Sequence, residues 1–208
     1  MSNADLWPWF AIAGLGLFHG LNPAMGWLFA VALGLQRGER RTVFISLAPI
    51  ALGHALAVAL TLAGVLALGL MLDTTMLTRV AGAGLLGWAL WHAWRGHRQG
   101  YRIGMQAGLA GIALWSFVVS ATHGAGLMLL PVVLPICSAA GATPQGSALA
   151  VTGAVATHTG AMLLASGLIA ICVYQWLGVG FLRRAWINLD WIWVTALALC
   201  GALLLVSA

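Results

Sequence analysis

The chain has 208 residues, of which 62% are hydrophobic and only 6% charged, and its mean hydropathy is +1.00. Soluble globular domains carry charge on about a quarter of their residues, so the composition excludes one and indicates an integral membrane protein whose main partner is the lipid bilayer. The net charge of +5 comes from nine arginines against four acids, and these arginines fall in short loops between apolar runs, a pattern that reports topology and not a nucleic-acid partner.

A helix needs about 20 apolar residues to cross a bilayer, and six runs meet that ruler, at about 8–35, 43–71, 77–94, 104–137, 146–175 and 188–207. The expected fold is an all-α membrane protein of six transmembrane helices. The first run follows Asp5, has no basic segment before it and is too long for a signal peptide, so it is expected to remain as a helix. Inside it stands His19-Gly20-Leu21-Asn22-Pro23-Ala24-Met25-Gly26. Pro23 lacks a backbone N–H and disfavours helix at Asn22, so a helix break is expected around Gly20 and Pro23, with carbonyls near Gly20 left without helical partners. Broken backbone in lipid is kept only where protein or a cavity covers it, which marks this stretch as functional. Gly16 and Gly20 also share a face suited to close helix packing.

The second run carries Pro49, Gly53 and His54. At the cytoplasmic end of the third, His92 and His97 sit beside Arg95 and Arg98 and read as loop residues at the interface. The fourth contains His123-Gly124-Ala125-Gly126, with Gly124 as a second helix break, and then Pro131 and Pro135; the fifth carries His158. Tryptophans near run ends, among them Trp7, Trp88, Trp91, Trp94 and Trp176, read as interfacial anchors. Cys137, Cys172 and Cys200 show no metal-site spacing and read as small buried hydrophobes. Arg37, Arg40 and Arg41, then Arg95, Arg98 and Arg102, then Arg183 and Arg184 occupy alternate loops, with only Arg79 on the other side. The positive-inside rule makes those loops cytoplasmic and puts both the N-terminus and the C-terminus outside the cytoplasm, as in a bacterial inner-membrane protein.

His19 and His123 are separated by the same distance in sequence as His54 and His158 (123 − 19 = 158 − 54 = 104). That gap-free offset also pairs Gly20 with Gly124, Ala57 with Ala161 and Leu60 with Leu164. Two three-helix repeats, residues 1–96 and 104–208, are therefore expected. An odd number of crossings in each makes them inverted repeats, a symmetry common in secondary transporters.

At a rise of about 1.5 Å per residue, all four histidines come out near mid-membrane, and folding the halves together is expected to bring four imidazoles to one region. Neutral imidazole ligates borderline metals such as nickel, cobalt and copper and exchanges protons near neutrality. His19, His54, His123 and His158 are thus the candidate metal ligands, with Asn22, Met25 and Met128 as further contacts. A thioether favours a softer ion such as Cu(I), and the lack of any acid at mid-depth argues against hard cations. The expected function is secondary transport of a transition-metal cation. Two alternatives stay open: b-type haem held axially by histidines of different spans, and export of a small organic solute with the histidines coupling protons only. No Ser or Cys is paired with a base and an acid, and no phosphate-binding loop is present, so neither hydrolysis nor ATP-driven pumping is expected.

The stretch His19-Gly20-Leu21-Asn22-Pro23, followed by a basic loop and Gly53-His54-Ala55, resembles the nickel/cobalt efflux (NicO-type) proteins of the LysE transporter superfamily. Those proteins carry His-x-x-x-Pro-Gly-His in the first span and Ser/Gly-His in the second. The resemblance covers about residues 15–65 and implies that His19 and His54 line a metal path; Met25 stands where the family has its second ligand histidine.

Overall fold

The structure, a computed structural model, describes residues 3–69, 73–95, 108–139, 143–177 and 189–206. All described elements are helical. In order they are α1 (Asn3–Leu21), a 3-10 turn (Pro23–Met25), α2 (Trp27–Arg37), α3 (Arg40–Gly69), α4 (Thr74–Arg95), α5 (Leu109–Thr122), a second 3-10 turn (Leu127–Leu129), α6 (Leu130–Ala139), α7 (Pro144–Cys172) with a π turn over Val173–Leu177, and α8 (Leu189–Val206). Arg98, Arg102, Arg183, Arg184, His97 and the segment joining the two expected repeats lie outside the described residues.

Two helices, α3 and the one built on α7, are long and apolar enough to cross a membrane, and α5 with α6, bent by 52°, makes a third if counted as one span. Their outward faces suit lipid. Leu52, Leu56 and Leu60 recur one turn apart along α3 and are all exposed, as are Leu149, Leu164 and Leu168 on α7.

Packing runs across the middle of the chain: α1 lies along α7, α3 along α5 and α4 along α8, while α3 and α7 cross each other. Glycine makes the first two contacts possible. A Cβ at Gly16 would strike the His158 carbonyl, and one at Gly53 would strike the Ala113 carbonyl, so both helix pairs meet backbone to backbone. Gly20 belongs to the same contact, with a hypothetical Cβ 2.5 Å from the Met162 carbonyl. Here the expectation needs correcting: Gly20 is not at the break. It lies inside α1, which runs on to Leu21, and the break falls at Asn22 and Pro23.

The carbonyls freed at that break are not left empty. The Asn22 N–H donates to the His19 carbonyl (3.1 Å), the Ser166 hydroxyl to that of Gly20 (3.2 Å) and the Trp27 indole to that of Leu21 (3.3 Å). The second break repeats the device, with the Gly124 N–H on Ala121 (3.2 Å), the Ala125 N–H on Ser120 (3.1 Å) and the Trp88 indole on Thr122 (2.9 Å). Each break also contains a glycine at positive φ, Gly26 at 114° and Gly124 at 71°, where an L side chain would be strained.

Trp88 is thus turned inward as a cap and is not an interfacial anchor, whereas Trp7, Trp94 and Trp176 are exposed as expected. Pro49 is absorbed within the 30 residues of α3, and Pro131 sits at the start of α6, where a missing N–H costs little. The three cysteines are free; Cys137 is buried, Cys200 half-buried and Cys172 exposed.

Candidate functional site

Three of the four singled-out histidines meet where α1, α3 and α7 cross. His54 and His158 are each the fifteenth residue of a long helix, about 21 Å along it at 1.5 Å per residue, so the crossing is at the midpoint of both. His19 joins them because it follows Gly16 by nearly one turn on the face that glycine lets against α7. The ring centroids of His19 and His158 are 4.8 Å apart, those of His54 and His158 5.3 Å, and those of His19 and His54 5.6 Å. All three side chains are completely buried, at 0% exposure.

Each ring is oriented through Nδ1. His19 donates to the Leu15 carbonyl at 3.0 Å, His158 to the Ile12 carbonyl at a longer 3.4 Å, and His54 faces the Ser120 hydroxyl at 2.8 Å. A carbonyl only accepts, so His19 and His158 carry their hydrogen on Nδ1, the tautomer in which Nε2 can act as a metal ligand. The Ser120 hydroxyl both gives and accepts, so His54 meets it in either tautomer. The counterpart of Ser120 at the 104-residue offset is Gly16. With no side chain there, His158 reaches instead to a backbone carbonyl one turn away. The Nε2 atoms of His54 and His158 are buried without a hydrogen-bond partner, an expensive state that a ligand would relieve.

Three imidazoles around one tetrahedral ion, with nitrogens about 2.0 Å from the metal, have ring centroids about 5 Å apart, the spacing found here. The nitrogens do not yet converge: among the described residues no group of three or more His, Cys, Asp or Glu side chains stands ready to hold a metal ion. Glu39 and Asp73 are exposed at helix ends, and neither approaches the cluster. Haem fits poorly, because two axial imidazoles need a porphyrin plane between them and these three rings touch one another inside helices packed at backbone distance.

His123 departs from the expected set of four. α5 stops at Thr122, so His123 lies just past the helix; its Nδ1 donates to the Val119 carbonyl (2.9 Å), and its ring centroid is 6.0 Å from that of His92. It remains within electrostatic range of His19. His92 corrects another expectation, since it is no loop residue: it belongs to α4 and packs between Trp88, Trp91 and His123. Sequence reasoning missed it because its value comes from a partner on another helix.

Of the other candidates, Asn22 spans the first break through its backbone, accepting from the Met25 N–H at 3.0 Å. Met25 is buried there, and Met128 is built into an apolar cluster with Leu85, Leu129 and Leu197, a packing role. Pro23 opens the first 3-10 turn, and Gly124 supplies the positive φ of the second break. Compared with known proteins, the chain matches no family model, no curated protein and no solved structure, so the histidine geometry itself must carry the functional assignment.

Proposed function

We propose that the protein is a secondary membrane transporter for a transition-metal cation, of nickel, cobalt or copper type, with His19, His54 and His158 as its cargo site. The observation that carries this reading is the buried triangle of imidazoles at the spacing of ligands around one ion, with the Nε2 atoms of His54 and His158 buried without a hydrogen-bond partner. Nitrogens that stop short of convergence suit a site that must also release what it binds.

The repeated order of broken helix, long helix and further helix, with the three most extensive helix pairings each joining one half to the other, supports two inverted three-helix repeats in a six-span membrane protein. Rocking of one repeat against the other then exposes the central site alternately to each side. The resemblance to nickel/cobalt efflux proteins points the same way through His19 and His54. The arginine-rich loops set the orientation, cytoplasmic around Arg40 with both termini outside. A cysteine at Gly38 should accordingly react with an impermeant reagent only from the cytoplasmic side.

The direct test is metal binding and proteoliposome uptake of Ni(II), Co(II) and Cu(I) by the purified protein. Uptake lost in His54→Ala and His158→Ala is expected; a protein that binds none of these metals, or variants that transport as well as the parent, would overturn the reading.

A further inference from the structure

The second helix break builds another group of metal-ligating side chains. His123 and His92 face each other at 6.0 Å between ring centroids. Their rings are fixed alike: His123 Nδ1 donates to the Val119 carbonyl at 2.9 Å, and His92 Nδ1 to the Trp88 carbonyl at 3.1 Å. Nε2 is therefore the ligand nitrogen in both. Trp88 and Trp91 form a wall, with ring centroids 5.4 and 5.0 Å from that of His92, and an aromatic face attracts a cation. The backbone beneath is anchored by the Trp88 indole on the Thr122 carbonyl.

Two imidazoles on opposite sides of one ion, each nitrogen about 2 Å from it, have centroids roughly 6 Å apart. The centroid spacing of the pair is that of two-coordinate binding. The cost of burying an ion rises with the square of its charge, so a single charge costs about a quarter of a double one. Low coordination by neutral nitrogens suits a soft ion of low charge.

We infer that His92 and His123 form a second station on the cargo route, and that the cargo is a soft, singly charged cation of the Cu(I) class. The inference rests on the transporter reading above. An ion moving between stations exchanges three imidazoles for two, and His123 is the member of the pair within electrostatic range of His19.

The test titrates Ag(I), a redox-inert stand-in for Cu(I), into the full chain in detergent, following bound silver and tryptophan emission. The parent should take up about two equivalents and lose emission as silver settles beside Trp88 and Trp91. His92→Phe and His123→Phe, which keep ring volume, should lose about one equivalent and most of the quenching; His54→Phe should lose the other equivalent and keep the quenching. His92→Gln is the second variant if the phenylalanine forms do not fold. Unchanged stoichiometry and quenching in the His92 and His123 variants, with silver lost in His54→Phe, would overturn the second station and leave the central site standing. Silver lost from the pair but not in His54→Phe would instead sink the transporter reading. Ni(II) binding at the pair as tightly as Ag(I) would overturn the preference for a single charge.

Discussion

At the first break α1 continues through His19 and Gly20 to Leu21, whereas at the second α5 stops at Thr122, the counterpart of Phe18 at the 104-residue offset. His19 is therefore still helical and faces α7. His123 has left its helix, and its ring is beside α4. The two breaks otherwise share their parts, a glycine at positive φ and an indole on the last carbonyl. The difference is almost one turn of helix, and it divides four histidines paired by one sequence offset into a group of three and a partner for His92. A repeat in sequence fixes which residues recur; where each supporting helix ends is decided by its neighbours.

The sharpest way to break this comparison is at the rings. His54→Ala or His158→Ala should weaken ion binding at the central site by more than about a hundredfold, and His123→Ala far less, as read by calorimetric titration; equal losses would abolish the division. Next come the glycines. Gly26→Ala places a Cβ 2.9 Å from Ile50 at a φ of 114°, and Gly124→Ala places one 3.3 Å from Leu197 at 71°. Denaturation in detergent should show losses of about 3 and about 1–2 kcal/mol respectively.

Ser120→Ala removes the Nδ1 partner of His54 and should cost about tenfold in affinity, with Ser120→Thr largely retaining it. Acid should act in the same sense, since a proton that occupies an Nε2 lone pair excludes the ion. Affinity should fall as pH drops through the site's apparent pKa, and a flat profile would argue against direct ligation. The smallest effects are expected for Trp27→Phe and Trp88→Phe, about 1 kcal/mol each for the lost carbonyl bond. If only one of the two destabilises, the breaks are not held alike.

Much of this was legible in the sequence because its signals are local. Pro23 after Asn22 announces the first break, apolar runs announce helices, and Gly16 announces close approach. The central position of His54 and His158 followed from run length alone. The end of α5 was not legible. No proline lies between His123 and Leu130, and the stop depends on Trp88 from α4 and on Gly126, whose Cβ would lie 2.5 Å from Thr61 of α3. Gly20 misled for the opposite reason, a packing glycine standing next to a true helix breaker. His92 was invisible because a side chain three residues from the end of a helix has no meaning until the element opposite it is known.

Of the three rings in the cluster, two answer to carbonyls and one to a hydroxyl. A carbonyl holds its histidine to one tautomer, so His19 and His158 present the same nitrogen whatever arrives. Ser120 follows either choice of His54 by turning its O–H, and the 2.8 Å bond survives both. Ser120 also belongs to α5 while His54 belongs to α3, so this one adjustable member is geared to the boundary between the halves of the chain. Sliding α5 along α3 would withdraw the hydroxyl from His54 and leave the carbonyl that orients His19 within its own helix untouched. The cluster is thus one ring oriented within its own helix and two whose Nδ1 partners belong to the opposite half, of which only His54 can change tautomer.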